Sequence, residues 1–433
     1  MVVTGRSVVL ALLAVGAVLV SGQISPQVTA AALSVVAALL ALDVLLAASP
    51  RAMRLTREGD TSVRLGESAA LSLVLHNPTR RPLRGRVRDA WPPSAHVEPR
   101  SAAPAHVVGG EQRRFGVTLT PTRRGDARAA GVTVRAIGPL GLAGRQRTLS
   151  APWTVRVLPP FHSRRHLPGK LSRLRELEGQ HTAMVRGQGS EFDSLRDYVR
   201  GDDVRSIDWR ATARNDGVVV RTWRPERDRR ILIVLDTGRT SAGRVGDTPR
   251  LDHSMDASLL LAALAGRAGD RVDFLAYDRR VRAQVRSGGK GSQIQQLVSA
   301  MAPLEAALVE SDPAGMAGTV MAQGRARKLV VLLTDLNAAA LEENLLPRLP
   351  TLTSQHLLLV ASVRDPAVDA MAEERGSPEA LYRAASAERT LADRRRVTVE
   401  LRRMGAEVVD AGPEHIAPAL ADAYINLKAQ GRL

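Results

Sequence analysis

The hydrophobic period of the chain changes along its length. Residues 7–24 (SVVLALLAVGAVLVSGQI) and 28–49 (VTAAALSVVAALLALDVLLAAS) are continuous apolar runs, each long enough as a helix to cross ~30 Å of hydrocarbon. They predict a helical hairpin. The connector at Ser25, Pro26 and Gln27 carries no charge, whereas Arg6 precedes the first run and Arg51, Arg54 and Arg57 follow the second. Basic flanks stay cytoplasmic, so the pattern predicts a two-pass inner- or plasma-membrane protein with the bulk of the chain in the cytoplasm. A cleaved signal peptide is the alternative for the first run, but it leaves the second run unexplained. Asp43, within that second run, is either a functional intramembrane acid or an acid near the interface.

Between residues 52 and 158 the period shortens to two. TSVRL, ALSLVLH, RGRVRDA, RRFGVTLTP, ARAAGVTVRAIG and TVRVLP alternate apolar and polar positions between turn residues, which predicts a small antiparallel β-sandwich of immunoglobulin-like character. The stretch 159–186 is basic and reads as a loop-like linker. From Arg230 the pattern becomes continuous apolar runs: ILIVLD, VDFLAYD, KLVVLLTD, HLLLVASV and AEVVDA. Helical stretches near 252–268, 291–302, 338–349, 378–404 and 414–430 separate them. Such runs are strands buried on both faces, so the C-terminal part is predicted as a doubly wound α/β sheet. The expected division is 1–50 two transmembrane helices, 51–158 sandwich, 159–186 linker, and 187–433 a charged segment followed by the α/β domain.

Composition narrows the function classes. With 433 residues and 44% hydrophobic content the chain can fill several cores. Its formal net charge is +17, which favours polyanions or an anionic membrane face. The basic residues are nevertheless interleaved with acids throughout, so no nucleic-acid partner is expected, and the lipid bilayer is met through the N-terminal hairpin. The lack of cysteine excludes disulfides, thiolate metal sites and cysteine nucleophiles. Ser287 to Ser292 (SGGKGS) resembles a phosphate loop superficially, but Gln284 and Gly291 stand where a P-loop needs glycine and a hydroxyl residue.

The densest segment is Gly187 to Arg214, GQGSEFDSLRDYVRGDDVRSIDWRATAR. Ser190 or Asp193 can cap a short helix carrying Leu195, Tyr198 and Val199, which Gly201 would stop. Phe192, Tyr198 and Trp209 are then expected as buried anchors, with Trp209→Ala costing on the order of 3 to 5 kcal/mol. Asp202, Asp203 and Asp208 could be imagined as acid/base groups. Arginines every four or five residues make a structural ion-pair network the stronger reading.

Several features of this run match a signature as they stand: Gly187-x-Gly189, Glu191-Phe192, Leu195-Arg196-x-Tyr198, Gly201-Asp202-Asp203-x-Arg205, Ile207-Asp208-Trp209 and Ala211-x-Ala213-Arg214. They resemble the bacterial domain-of-unknown-function 58 family. Pro121-x-Arg123-Arg124-Gly125 and Gly138-Pro139-Leu140-Gly141-Leu142 resemble the stretch that precedes this signature. The resemblance implies a von Willebrand factor A-like domain and a MoxR-type AAA+ ATPase as partner, in a chaperone-like or complex-assembly role.

In open parallel sheets ligands bind beyond the carboxyl ends of strands, here marked by Asp236 and Asp335. A metal-ion-dependent adhesion site places D-x-S-x-S after the first strand and an acid after a later one. This chain reads Asp236-Thr237-Gly238-Arg239-Thr240. Asp236, Thr240 and Asp335 are the candidate metal ligands, with Ser311 and Asp312 as further oxygen donors. Gly238 lacks the middle hydroxyl and Arg239 opposes a cation, so Mg2+ is expected to bind weakly or not at all, and Gly238→Ser to tighten it. The alternative is that these acids accept hydrogen bonds or pair with arginines. No catalytic residue or organic cofactor stands out. The leading expectation is a non-enzymatic, membrane-anchored scaffold; the others are a metal-dependent enzyme using Asp236 and Asp335, and a polyanion-binding protein.

Overall fold

A computed structural model describes residues 1–20, 22, 25–99, 102–184, 191–214, 217–224, 229–288, 292–324 and 326–433. The chain forms two compact units, Met1–Leu158 and Pro159–Leu433.

In the first unit, helices α1 (Gly5–Val20) and α2 (Pro26–Leu46) line a common crevice with Ala14, Ala17 and Val18 on one side and Val28, Ala32 and Val36 on the other. Ser25 caps α2 by accepting from the Val28 amide, and Pro26 occupies the first turn, where no amide donor is needed. The span Pro26–Ala52, with mean hydropathy 2.4, is long and apolar enough to cross a membrane. The 16 residues of α1 fall short of the roughly 20 that a full crossing takes.

The rest of this unit is β-structure in five-, four- and three-stranded sheets. Leu73, Leu75, Leu83 and Val134 centre one core, and Val63, Leu71, Leu119 and Val155 the other. The pairing is not purely antiparallel: Arg156–Leu158 runs parallel to Ser62–Arg64. Val2 and Val3 pair with Gly144 and Ala143 at the edge of the five-stranded sheet.

The second unit opens on helical structure rather than the expected loop: a 3-10 turn His162–His166 leads into helix α3, Leu167–Met184. Two of its basic side chains pair with an acid: Lys170 and Arg173 lie 2.6 and 2.9 Å from Asp422, while Leu174 is buried. Next come strands β1 (Glu191–Asp197) and β2 (Val219–Arg224), an antiparallel pair.

The main sheet contains β3 (Arg230–Asp236), β4 (Arg271–Tyr277), β5 (Val281–Val285), β6 (Leu329–Leu333), β7 (Leu357–Val363) and β8 (Glu407–Ala411), in the order β5-β4-β3-β6-β7-β8. All neighbours are parallel except the edge strand β5. Helices α4 (Arg250–Arg267), α5 (Pro313–Ala322), α6 (Pro378–Arg403) and α7 (Ile416–Ala429) are its main cover. Leu232, Val234, Leu332 and Val360 share one core with Met316, Leu352 and Val397. The alternate residues Ile231, Ile233 and Leu235 are equally buried on the opposite face, where α4 packs. The expected helix at 338–349 is broken into short pieces, including a π-helical turn Leu341–Leu345 and a 3-10 turn Leu346–Arg348. Pro347 and Pro350 remove the amides a continuous helix would need.

Candidate functional site

Asp236 ends β3 and is buried. Its Oδ1 accepts the Gly238 amide at 2.8 Å and the Ser311 hydroxyl, while Oδ2 accepts Thr334 Oγ1 at 2.7 Å. A Cβ at position 238 would lie 2.1 Å from Ser311 Oγ and 3.0 Å from the Val309 carbonyl oxygen. Ser311 therefore fills the space that a side chain at 238 would occupy, and a larger residue there must push its hydroxyl aside. Gly238→Ser, expected to restore a ligand, would first have to displace the Ser311 hydroxyl. Asp312 instead caps α5, accepting the Gly315 amide at 3.0 Å.

Asp335, just past β6, is held between two guanidinium groups. Arg250 Nη1, in the first turn of α4, lies 3.2 Å from Asp335 Oδ2, and Arg394 Nη1, on α6, lies 2.8 Å from Oδ1. Arg394 extends the network to Asp410 at 2.7 Å and the Ser362 hydroxyl at 2.9 Å. Burial alone would lower the Arg394 pKa, but Asp410 and Asp335 outweigh it and the pKa is raised. Arg250 Nη1 also donates to the Thr240 carbonyl at 3.1 Å. Thr240 thus joins the site through its backbone. Arg239, the cation expected here, turns outward to Glu310. Among the described residues no group of three or more His, Asp or Glu side chains is placed to hold a metal.

A cleft of about 460 Å³ opens beside Ser311, with Arg279, Glu310, Glu343 and Arg348 in its lining. Its titratable lining groups are the carboxylates Glu310, Asp312 and Glu343 and the guanidinium groups of Arg279 and Arg348, and the Ser311 hydroxyl is committed to Asp236.

The signature run folds differently from its expected helix. Leu195 pairs with Arg221 and Arg196 with Val220 in the β1–β2 ladder, because the alternation of Leu195 with charged neighbours suits a strand edge. Gly187 and Gly189 lie outside the described residues, as do the side chains of Glu191 and Phe192. Between the strands, Gly201 turns the chain at φ 113°, a conformation that favours glycine. Asp202 receives both Arg196 nitrogens, at 2.7 and 2.8 Å, and the Val199 amide at 2.9 Å. Asp203 caps the 3-10 turn Val204–Ser206 by accepting the Arg205 amide. Asp208 caps the short helix Trp209–Thr212 and accepts Arg221 Nε at 2.8 Å. Arg196, then the Val199 amide, holds the Asp202 carboxyl below its usual range, and Arg221, then the Ala211 amide, does the same for Asp208. Each of these acids is thus committed to a cap or an ion pair within the segment.

Their effect is to fix the backbone while the apolar side chains point outward. Trp209 is 69% exposed, Val204 64% and Val199 61%, with Tyr198 at the same surface. Tyr198 and Trp209 are not anchors; Val219 and Val220 supply the buried contact. Arg200, Arg205, Arg210 and Arg214 are all exposed, and none has an acidic partner among the described residues.

Asp43 and the Gly138–Leu142 stretch, separate features in the sequence, meet in the first unit. The Asp43 carboxylate accepts the amides of Leu140, Leu142 and Ala143 at 2.8, 2.7 and 2.8 Å. A Cβ at Gly138 would lie 2.1 Å from Asp43 Oδ1. Arg145 Nε donates to the Val44 carbonyl at 3.0 Å and Arg81 to that of Leu45, so the end of α2 is tied to the sandwich. Gly138 and Gly141 were the available signal, the first for the close approach of Asp43 and the second for its positive φ of 74°.

Over residues 194–423 the chain matches the family described as "Protein of unknown function DUF58". Uncharacterized proteins of Mycobacterium bovis and Mycobacterium tuberculosis are 26% identical over 192 residues, covering 44% of this chain. The chain spans 60% of the length of these curated relatives. The crystal structure of a CARDB domain in complex with di-metal ions from Pyrococcus furiosus is 12% identical with a TM-score of 0.18, covering 24% of this chain and 91% of that one. The solution structure of the same domain is 14% identical with a TM-score of 0.18, covering 24% of this chain and 94% of that one.

Proposed function

Because this chain belongs to the DUF58 family, whose description assigns no activity, we propose its role from geometry: a non-enzymatic, membrane-anchored adaptor that captures a protein partner on the signature hairpin. The observation that carries this reading is the outward display of Trp209, Val204 and Val199 on a loop pinned by Asp202 and Asp208. Exposed aromatic and aliphatic groups on an ordered loop cost solubility unless a partner covers them, and tryptophan beside arginine is the composition of interface hot spots. The exposed Arg200, Arg205, Arg210 and Arg214 of the same segment favour a partner with an apolar pocket and acidic groups near it. The family resemblance names a MoxR-type AAA+ ATPase as that partner.

The anchor in this reading is the α1–α2 hairpin, with both outer ends on the cytoplasmic side: α2 is long enough to cross, and the shorter α1 crosses where the bilayer thins locally around it. Support comes from the pairing of Val2–Val3 with the strand edge to which the end of α2 is also tied. The order of β3 to β8 supports a von Willebrand A-like reading of the second unit. The test is a binding titration of the detergent-solubilised full chain with a purified MoxR-type ATPase. Saturable binding that weakens with salt and is lost in Trp209→Ala is expected; binding untouched by that change would refute the hairpin as the docking surface. Since the chain has no cysteine, Ser25→Cys provides a single thiol for topology, expected to react with an impermeant reagent from outside intact cells.

A further inference from the structure

We propose that the guanidinium of Arg250 takes the place a divalent cation holds in adhesion-type strand-end sites, so that the α/β unit sets its loops without a metal. Asp236 ends β3 and Asp335 follows the adjacent parallel strand β6, and an opposite charge beside such a carboxylate favours its ionised form. In a metal site a hard cation gathers oxygen lone pairs from those loops. Here Arg250 gathers them: its Nη1 reaches the Thr240 carbonyl at 3.1 Å and Asp335 Oδ2 at 3.2 Å. Gly243 leaves it room, since a Cβ there would come within 3.2 Å of Nη1.

The remaining donors close the site. Arg394 takes the other oxygen of Asp335, and Asp236 is saturated by Gly238, Ser311 and Thr334. A divalent ion would have to enter beside two guanidinium groups that cannot deprotonate, and both are mostly buried, Arg250 at 16% and Arg394 at 12% side-chain exposure. The residues present do not fit a divalent cation. The consequence is that whatever the α/β unit does at its carboxyl-terminal edge is insensitive to chelators. This holds whether or not the signature hairpin is the docking surface.

The experiment uses the full chain in detergent and Mn2+ as the probe, read by water-proton relaxation and by thermal melting. The wild type is expected to bind no Mn2+ saturably and to melt at the same temperature with millimolar Mn2+ or with EDTA. Arg250→Ala is expected to melt lower and to recover with Mn2+, because Asp335 and the Thr240 carbonyl are released to a cation. If Arg250→Ala does not fold, Arg250→Gln, which keeps a donor but loses the charge, is read in the same assay. Arg250→Lys retains the charge and is expected to remain metal-insensitive. Saturable Mn2+ binding by the wild type overturns the proposal, and so does a folded Arg250→Ala or Arg250→Gln that ignores Mn2+.

Discussion

The strand-end site and the signature hairpin are built from the same residue types and put them to opposite use. At the strand ends, Asp335, Arg250, Arg394 and Asp410 are mostly withdrawn from water and linked by ion pairs. In the hairpin the pairs Arg196–Asp202 and Arg221–Asp208 lie at the surface, where an ion pair adds little stability, and what they fix is the direction of Val199, Val204 and Trp209. Closed charge holds the α/β unit together, whereas open charge displays an apolar surface. A carboxylate at a strand end is therefore a poor guide to function until its partners are known.

Breaking the closed network gives the largest expected effect. Asp335→Ala leaves two buried guanidiniums short of a partner and should cost about 3 to 5 kcal/mol, read as a lowered melting temperature of the full chain. Gly238→Ser comes next: its Cβ collides with Ser311 Oγ, and overpacking of this kind costs about 1 to 3 kcal/mol. A Gly238→Ser protein as stable as the wild type would mean that the site is open after all.

Asp43→Ala extends the comparison to the first unit. It strips the Leu140, Leu142 and Ala143 amides of their acceptor, worth about 1 to 3 kcal/mol for buried groups. Faster hydrogen exchange at these three amides is the expected signature, and unchanged exchange would show that the carboxylate does not hold the loop.

Smaller still is a pH effect. His356 is buried, and that burial, reinforced by the charge of Lys328, lowers its pKa. The unfolded chain then takes up the proton first as pH falls below roughly 6.5. Stability from this group is thus complete above that pH and is lost as pH falls toward the lowered folded value. His356→Leu should flatten the decline of melting temperature between about pH 7 and pH 5; an unchanged slope would assign the decline to other groups.

The sheet was legible because the strands β3, β4, β6, β7 and β8 are buried on both faces and need unbroken apolar runs. The edge strand β5 was not, since Arg282 and Gln284 interrupt its pattern. Helix α3 was hidden by its basic composition, which only the tertiary pairing with Asp422 explains. In the hairpin the ion pairing could be read from the spacing of arginines and acids. The outward direction of Trp209 could not, because it is set by the turn and short helix between the strands, which the caps at Asp203 and Asp208 hold in place. At the strand ends, Asp236 and Asp335 stood out in the sequence, while Arg250 and Arg394 did not: they lie 85 residues before and 59 after Asp335 and carry no motif.

The most direct test separates display from anchoring in one variant. Trp209→Ala in the full chain is measured for melting temperature and for affinity toward a purified MoxR-type ATPase. An exposed hot-spot tryptophan predicts an unchanged melting temperature together with a loss of affinity of roughly 30-fold. A fall in melting temperature with affinity intact would contradict the account, returning Trp209 to the core and recognition to another surface.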